Sequence, residues 1–143
     1  MASPMTDTEY RDFMLAGTRT AKLATVRADG RPHNVPVWFT MDGDDILFMT
    51  GESSVKAKNI QRERRVTLSV DDETPPYSFV MFEGEATVEN VSMDELLKWS
   101  TQIGGRYMGA DRAEEFGKRN AVPGELLIRV KPVKVVAMKD LAA

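Results

Sequence analysis

The stretch TAKLATVRADGRPHNVPVWFTMDGDDILFMTG, residues 20–51, decides the fold because it contains three strand patterns separated by two turns. In the middle pattern Val35, Val37 and Phe39 stand at every second position, so they share one face of a strand. An Asp-Gly pair stands in each turn, and this pair is typical of tight hairpin connections. The stretch therefore predicts a three-stranded antiparallel meander.

Helices and further strands are predicted around this stretch. Ser92 and Glu95 match the capping box that begins a helix, and an apolar stripe follows them. The other helices are predicted over residues 6–16, capped by Thr6 or Thr8, and over about 54–63, capped by Ser53 or Ser54. The further strands are predicted over residues 66–71, 77–90 and 125–139, the last interrupted at Pro132.

Six antiparallel strands with helices at their rims predict a mainly β fold, a small β-barrel with flanking helices, because closure removes exposed strand edges. Residues 1–143 contain no internal repeat and no interdomain linker, so a single domain is expected.

The composition limits the classes of function. A net charge of −3 argues against general binding to nucleic acid, which depends on neutralising many phosphates. The chain has no cysteine and one histidine, so neither a thiolate nucleophile nor a metal site built from Cys or several His side chains is expected. No basic leader and no run of about 18 apolar residues is present. We therefore expect a soluble, cytoplasmic protein.

Residues 50–66, TGESSVKAKNIQRERRV, hold five of the nineteen cations. A helix capped by Ser54 would place free backbone N–H groups beside Lys56, an arrangement that suits a phosphate. The second glycine and the Gly-Lys-Ser/Thr ending of a nucleotide triphosphate loop are missing. The alternative is a solvated helix face without a ligand.

The strand HNVPVWF, residues 33–39, contains a proline that cannot donate to a strand ladder. Pro36 therefore indicates either an edge strand or a place where a flat ligand approaches the backbone. Trp38, Tyr77 and Phe79 are candidates to stack on such a ligand, although each also suits a core. His33 is a candidate general base.

The order of these segments resembles the pyridoxamine 5′-phosphate oxidase-like split β-barrel family. The resemblance rests on LATVRADGRP, residues 23–32, together with the later pattern T-x-x-x-S-x-K-x-x-N, residues 50–59. Within the family the chain is most similar to the branch that uses the deazaflavin coenzyme F420. The resemblance implies a six-stranded split barrel that forms a homodimer, with a cofactor at the subunit interface and a small-molecule acceptor.

The resemblance also implies a set of cofactor-binding residues. The strand matching His33, Asn34, Val35, Pro36 and Val37 would run along the ring, and Met49 and Thr50 would end the strand beside it. Ser54, Lys56 and Asn59 would lie on the phosphate side, and Tyr77 and Phe79 would reach the cofactor, from the other subunit. Lys58 and the arginines that follow it would meet the acidic tail of the cofactor.

Two departures bear on the choice of cofactor. The flavin-using oxidases of the family carry Arg in the ring strand and Ser-Arg-Lys at the phosphate, where this chain has Asn34 and Ser54-Val55-Lys56. Loss of two guanidinium groups removes bidentate phosphate contacts, which favours F420 over the alternative, FMN. The resemblance thus implies an F420-dependent oxidoreductase that reduces an unsaturated or quinone-like acceptor.

Two rival functions remain at this stage. A carrier that binds a flavin or deazaflavin without turnover would need the same cleft. A small barrel that binds single-stranded nucleic acid would use the cations of residues 56–65, but basic residues there do not alternate with aromatic ones. No metal is predicted. Tyr77 and His33 are the candidate proton donors near the cleft, and solvent is the alternative.

Overall fold

The computed structural model describes residues 1–143, which form one antiparallel sheet with helices around it. The strands are β1 (Ser3–Pro4), β2 (Ala21–Val26), β3 (Pro32–Val37), β4 (Thr40–Asp42), β5 (Asp45–Gly51), β6 (Arg65–Asp72), β7 (Ser78–Glu89) and β8 (Glu125–Lys139). The helices are α1 (Asp7–Leu15), α2 (Val55–Arg62), α3 (Met93–Met108) and α4 (Ala113–Asn120), with a 3-10 turn over Ala110–Arg112. No helix is long and apolar enough to cross a membrane.

The sheet has the strand order β3-β2-β6-β7-β8-β5-β4, and β1 pairs with β8. Its two outermost strands, β3 and β4, follow one another in the chain with only Trp38 and Phe39 between them. Three Cα steps span at most about 11 Å, so the two ends of the sheet lie close together at this point. The predicted mainly β antiparallel class is confirmed, with eight strands where six were predicted.

The prediction of a three-stranded meander is wrong. β2 and β3 form the predicted hairpin, but β5 pairs with β4 and β8 and not with β3. The cause is a break at Phe39, whose backbone bonds to α3 in place of a strand: its N–H donates to the Tyr107 hydroxyl (3.2 Å) and its carbonyl accepts from Arg106 (2.7 Å). This break divides the predicted second strand into β3 and β4, and β1 is the other additional strand.

The long strand β8 continues through Pro132, where an interruption was predicted. Opposite it, the register with β7 shifts between Glu83 and Gly84, so the proline lies at an irregularity in the ladder, one of the positions in a sheet that tolerate proline. A Cβ on Gly84 would lie 2.5 Å from the Lys131 carbonyl oxygen, so the two strands approach too closely there for any other residue.

The predicted helices are confirmed, and their caps explain where they begin. Thr6 forms a capping box with Glu9 at α1, Ser54 accepts from the Ala57 amide at α2, and Ser92 accepts from the Glu95 amide at α3. The Glu95 carboxylate does not complete a capping box, because it accepts from the Trp99 indole (3.0 Å). The connection after α3 contains a further short helix, α4.

Two groups of buried side chains hold the elements together. Seventeen apolar residues, among them Phe39, Phe48 and Phe82, fill the space that the curved sheet encloses. A smaller group, Leu47, Leu96, Trp99 and Leu127, holds α3 against β5 and β8. The second group places the α3–α4 pair over the start of β8, where it forms one wall of a cavity.

Candidate functional site

A cavity of about 310 Å³ lies where β3 and β5 meet the first turn of α2 and the α3–α4 pair. Ligand sites usually measure about 300–1,000 Å³, so this cavity lies at the small end of that range. Its walls come from segments far apart in the sequence, and the lining residues are Pro36, Val37, Trp38, Met49, Lys56, Ser100, Ile103, Arg119, Asn120 and Glu125.

The aromatic wall of the cavity is rigid. Trp38 is stacked on Tyr107, with ring centroids 5.0 Å apart and planes 6° apart. The Tyr107 hydroxyl donates to the Arg19 carbonyl (2.9 Å) and accepts from the Phe39 amide, which fixes the tyrosine in place. Burial raises the pKa of Tyr107, so its ring remains neutral at physiological pH. The indole therefore forms a fixed flat surface, suited to a planar ligand.

The edge strand β3 forms a second wall. β3 pairs only with β2, so its other edge has no neighbouring strand. Of the two alternatives that the sequence left open for Pro36, the edge strand is therefore observed. Because proline has no N–H to leave unpaired, the backbone tolerates an apolar ligand at this edge. Met49, on β5, adds a polarizable apolar side chain to the same cavity.

Two cations make the cavity attractive to an anion. Lys56 lies in the first turn of α2, where no acidic residue is present, and it forms no hydrogen bond or ion pair. A lysine in the first turn opposes the helix dipole, so the fold itself gains nothing from its charge. Arg119, at the end of α4, donates to Asn120 (3.0 Å) and lies on the solvent side of the cavity.

An acidic side chain also lines the cavity. Glu125 begins β8 opposite Gly51 of β5, and its Oε2 atom is buried without a hydrogen-bond partner. Burial raises the pKa of this carboxyl, and the charge of Lys56 acts in the opposite direction with a smaller effect. The lysine and the carboxyl are not in salt-bridge contact, since no ion pair joins them. The cavity thus contains the side chains of Lys56 and Glu125, and neither has a hydrogen-bond or ion-pair partner.

The hydroxyl groups beside the first turn of α2 are engaged within the protein. Thr50 and Ser54 are hydrogen-bonded to one another (2.8 Å), and Ser54 also accepts from the Ala57 amide (3.1 Å). Thr50 is buried at 4% exposure. Thr50 was predicted beside the ring and Ser54 on the phosphate side. Both residues hold the strand-to-helix turn in shape behind Lys56, and neither lines the cavity.

A second cavity, of about 340 Å³, lies on another side of α2. Asn59 lines it together with three cations, Arg27, Lys58 and Arg62. The Asn59 amide donates to Thr25 (3.0 Å) and its oxygen accepts from Arg62 (3.1 Å). The structure thus places Asn59 and Lys56 in different cavities, although the family resemblance implied that both lie on the phosphate side.

The remaining predicted residues lie outside the first cavity in this chain. His33, Asn34 and Val35 precede the cavity-lining part of β3, and the Nδ1 atom of His33 is buried without a partner. Tyr77 directly precedes β7, and Phe79 is its second residue, opposite Met138 of β8. Tyr77 is 43% exposed and has a φ of 68°, a conformation that costs a bulky residue about 1–3 kcal/mol.

Sequence reasoning placed Pro36, Val37, Met49 and Lys56 at the site, and the structure brings these four residues into one cavity. It did not find the contributions of α3, α4 and β8, which are Ser100, Ile103, Arg119, Asn120 and Glu125. Ile103 was visible only as part of an apolar helix stripe, and no local pattern marks the others. No group of three or more acidic or histidine side chains is placed to hold a metal ion.

Comparisons with known proteins agree with this architecture. A family model described as pyridoxamine 5′-phosphate oxidase matches residues 6–139. A conserved hypothetical protein from Mycobacterium tuberculosis is 26% identical with a TM-score of 0.83, over 97% of this chain and 89% of that one. An F420 reductase is 28% identical with a TM-score of 0.66, over 87% of this chain and 94% of that one.

A FAD-binding protein from Mesorhizobium loti shares the fold, with 16% identity and a TM-score of 0.69 over 96% of both chains. The comparison with curated proteins returns no match.

Proposed function

This chain belongs to the pyridoxamine 5′-phosphate oxidase family, and from that premise we propose that it is an oxidoreductase that uses the deazaflavin coenzyme F420. The acceptor is a small, planar molecule with an unsaturated or quinone-like group. The same proposal includes the split-barrel form of the fold, with its cofactor cleft beside the edge strand β3.

One observation carries the proposal: Lys56, an unpaired cation, shares a cavity with a fixed indole and an edge proline. The flat apolar walls suit a ring system, and the lysine suits a phosphate attached to it. The cavity chemistry therefore fits a flat anionic redox cofactor. The F420 reductase at 28% identity favours the deazaflavin among such cofactors.

The bound deazaflavin would supply the hydride, and the protein would position the reactants. Trp38 and Pro36 would hold the ring from two sides, and Lys56 would hold its phosphate. Met49 and Ile103 would exclude water from the reacting face. The second cavity, with Lys58 and Arg62, would hold the acidic tail of the cofactor.

A homodimer is part of this proposal. The residues Tyr77 and Phe79 lie apart from the cavity within one chain, so they can contribute only across a subunit interface. Light scattering after size-exclusion chromatography tests the assembly, and a monomer at all concentrations would contradict it.

The name of the family does not define the activity of this chain, because fold alone does not determine substrate. FMN is the alternative cofactor, and the Asn34 and Val55 departures count against it. A carrier without turnover is the rival from another class, since the cavity would serve both.

Turnover separates the enzyme from the carrier. The purified chain is mixed with reduced deazaflavin and a panel of quinone and enone acceptors under anaerobic conditions, and cofactor absorbance is followed. Catalysed reoxidation supports the reductase. Tight binding without reoxidation by any acceptor would support the carrier.

A further inference from the structure

We propose that Glu125 is the acid that donates a proton to the acceptor in the reductase cavity. This inference rests on the proposed function and adds a catalytic residue to it. Reduction of a double bond by hydride needs a proton as well as the hydride, and a carboxylic acid in the wall of the cavity is a suitable donor.

The position of the carboxyl group carries the inference. Its Oε2 atom is buried, has no partner within the protein, and belongs to a residue that lines the cavity. Buried polar atoms are almost always hydrogen-bonded, so an orphan in a cavity wall points to a partner that arrives with the ligand. Glu125 makes its ladder contact with Gly51 through the backbone, so the fold does not require its carboxyl.

The surroundings of Glu125 favour its protonated form, and they also offer a cation to the carboxylate that forms when the proton leaves. Burial raises its pKa, while Lys56 on α2 partly opposes that rise. Arg119 on α4 is the other charged residue of the cavity lining, and Glu52, beside Gly124, lies next to the same turn. β3 and α3 contribute no titratable side chain to the lining. After proton transfer, the new carboxylate is therefore left near a cation.

The proposed step balances. A carbon of the acceptor double bond takes a hydride, with its electron pair, from the reduced deazaflavin. The oxygen at the other end of the conjugated system takes the proton of Glu125, whose O–H bond breaks. The acceptor would gain two electrons and two hydrogens. The deazaflavin, oxidised by loss of the hydride, would release its ring N–H proton to solvent, and solvent would return one proton to the Glu125 carboxylate.

Glu125→Gln tests the step, because glutamine keeps the shape and cannot donate a carboxyl proton. We expect kcat to fall by about 10²- to 10⁴-fold, with little change in the Kd of the deazaflavin. The wild type should lose kcat as pH rises through the pKa of Glu125, and the variant should lack that limb. Glu125→Asp should retain the limb at reduced kcat. Glu73→Gln, in the exposed loop after β6, is the matched control and should behave as the wild type.

An infrared titration without cofactor gives an independent readout. The carbonyl band of a protonated carboxylic acid should persist in the wild type above about pH 4.3, where exposed glutamates ionise, and should be absent from Glu125→Gln. Absence of the band in the wild type, or an unchanged kcat and pH profile in Glu125→Gln, would overturn the role of Glu125. If wild-type protein neither binds nor oxidises reduced deazaflavin while the band persists, the proposed function fails and the proton-donor role fails with it.

Discussion

Lys56→Ala should weaken binding of the deazaflavin without destabilising the fold. The ammonium group has no partner in the protein, so its removal breaks no contact of the folded chain. Hydrogen bonds to a charged partner contribute about 1.5–3 kcal/mol, so loss of the phosphate contact should raise the Kd of deazaflavin about 10- to 150-fold. Removal of a cation from the first turn of α2 should also stabilise the fold by about 0.3–1 kcal/mol.

Lys58→Ala is the matched control, because Lys58 lies on the same helix and lines the second cavity. Fluorescence titration with a deazaflavin that lacks the glutamate tail gives both Kd values, and urea unfolding gives both stabilities. With this ligand Lys58→Ala should leave the Kd unchanged. Equal Kd values for the wild type and Lys56→Ala, or equal losses in the two variants, would refute the phosphate assignment.

Three further predictions concern the cofactor tail and the fold. Arg64→Ala should weaken binding of long-tailed deazaflavin mainly at low salt, because exposed charges are screened; equal weakening with tail-less cofactor in the same titration would argue against tail contact. Gly84→Ala should lower the free energy of unfolding by about 1–3 kcal/mol in urea, because its Cβ would meet Val130 at 2.6 Å; unchanged stability would mean that β7 and β8 separate easily. Lys139 and the Thr6 amide lower the pKa of Glu9 from 4.5 to about 2, so this carboxylate stabilises the fold above about pH 4.5 and the contribution is lost as pH falls towards 2. Over that window thermal unfolding of Glu9→Gln should change less steeply than that of the wild type, and parallel curves would contradict the assignment.

Local features of the sequence predicted local structure well. Thr6, Ser54 and Ser92 each cap the helix that follows, because a cap depends on residues only two or three positions apart. The β2–β3 hairpin likewise follows from its turn. Lys56 stood out for the same reason, since a lysine in a first helical turn is unfavourable without an anion.

Pairings between distant segments were not predictable in this way. The backbone of Phe39 bonds to Tyr107 and Arg106, which are more than 60 positions away, and this contact moves β5 away from β3. The sequence did not mark Glu125 as a site residue, because a single acidic residue at the start of a strand is common. Its significance comes from the cavity that α3 and α4 close around it.

The central claim is that the cavity beside β3 holds a flat, anionic redox cofactor, and cofactor choice tests it most directly. Purified protein is titrated in parallel with coenzyme F420 and with FMN, and binding is followed by cofactor fluorescence. The account predicts saturable binding of F420 with a Kd at least about tenfold lower than that of FMN, a difference of about 1.4 kcal/mol. Tighter binding of FMN, or no binding of either cofactor, would contradict it.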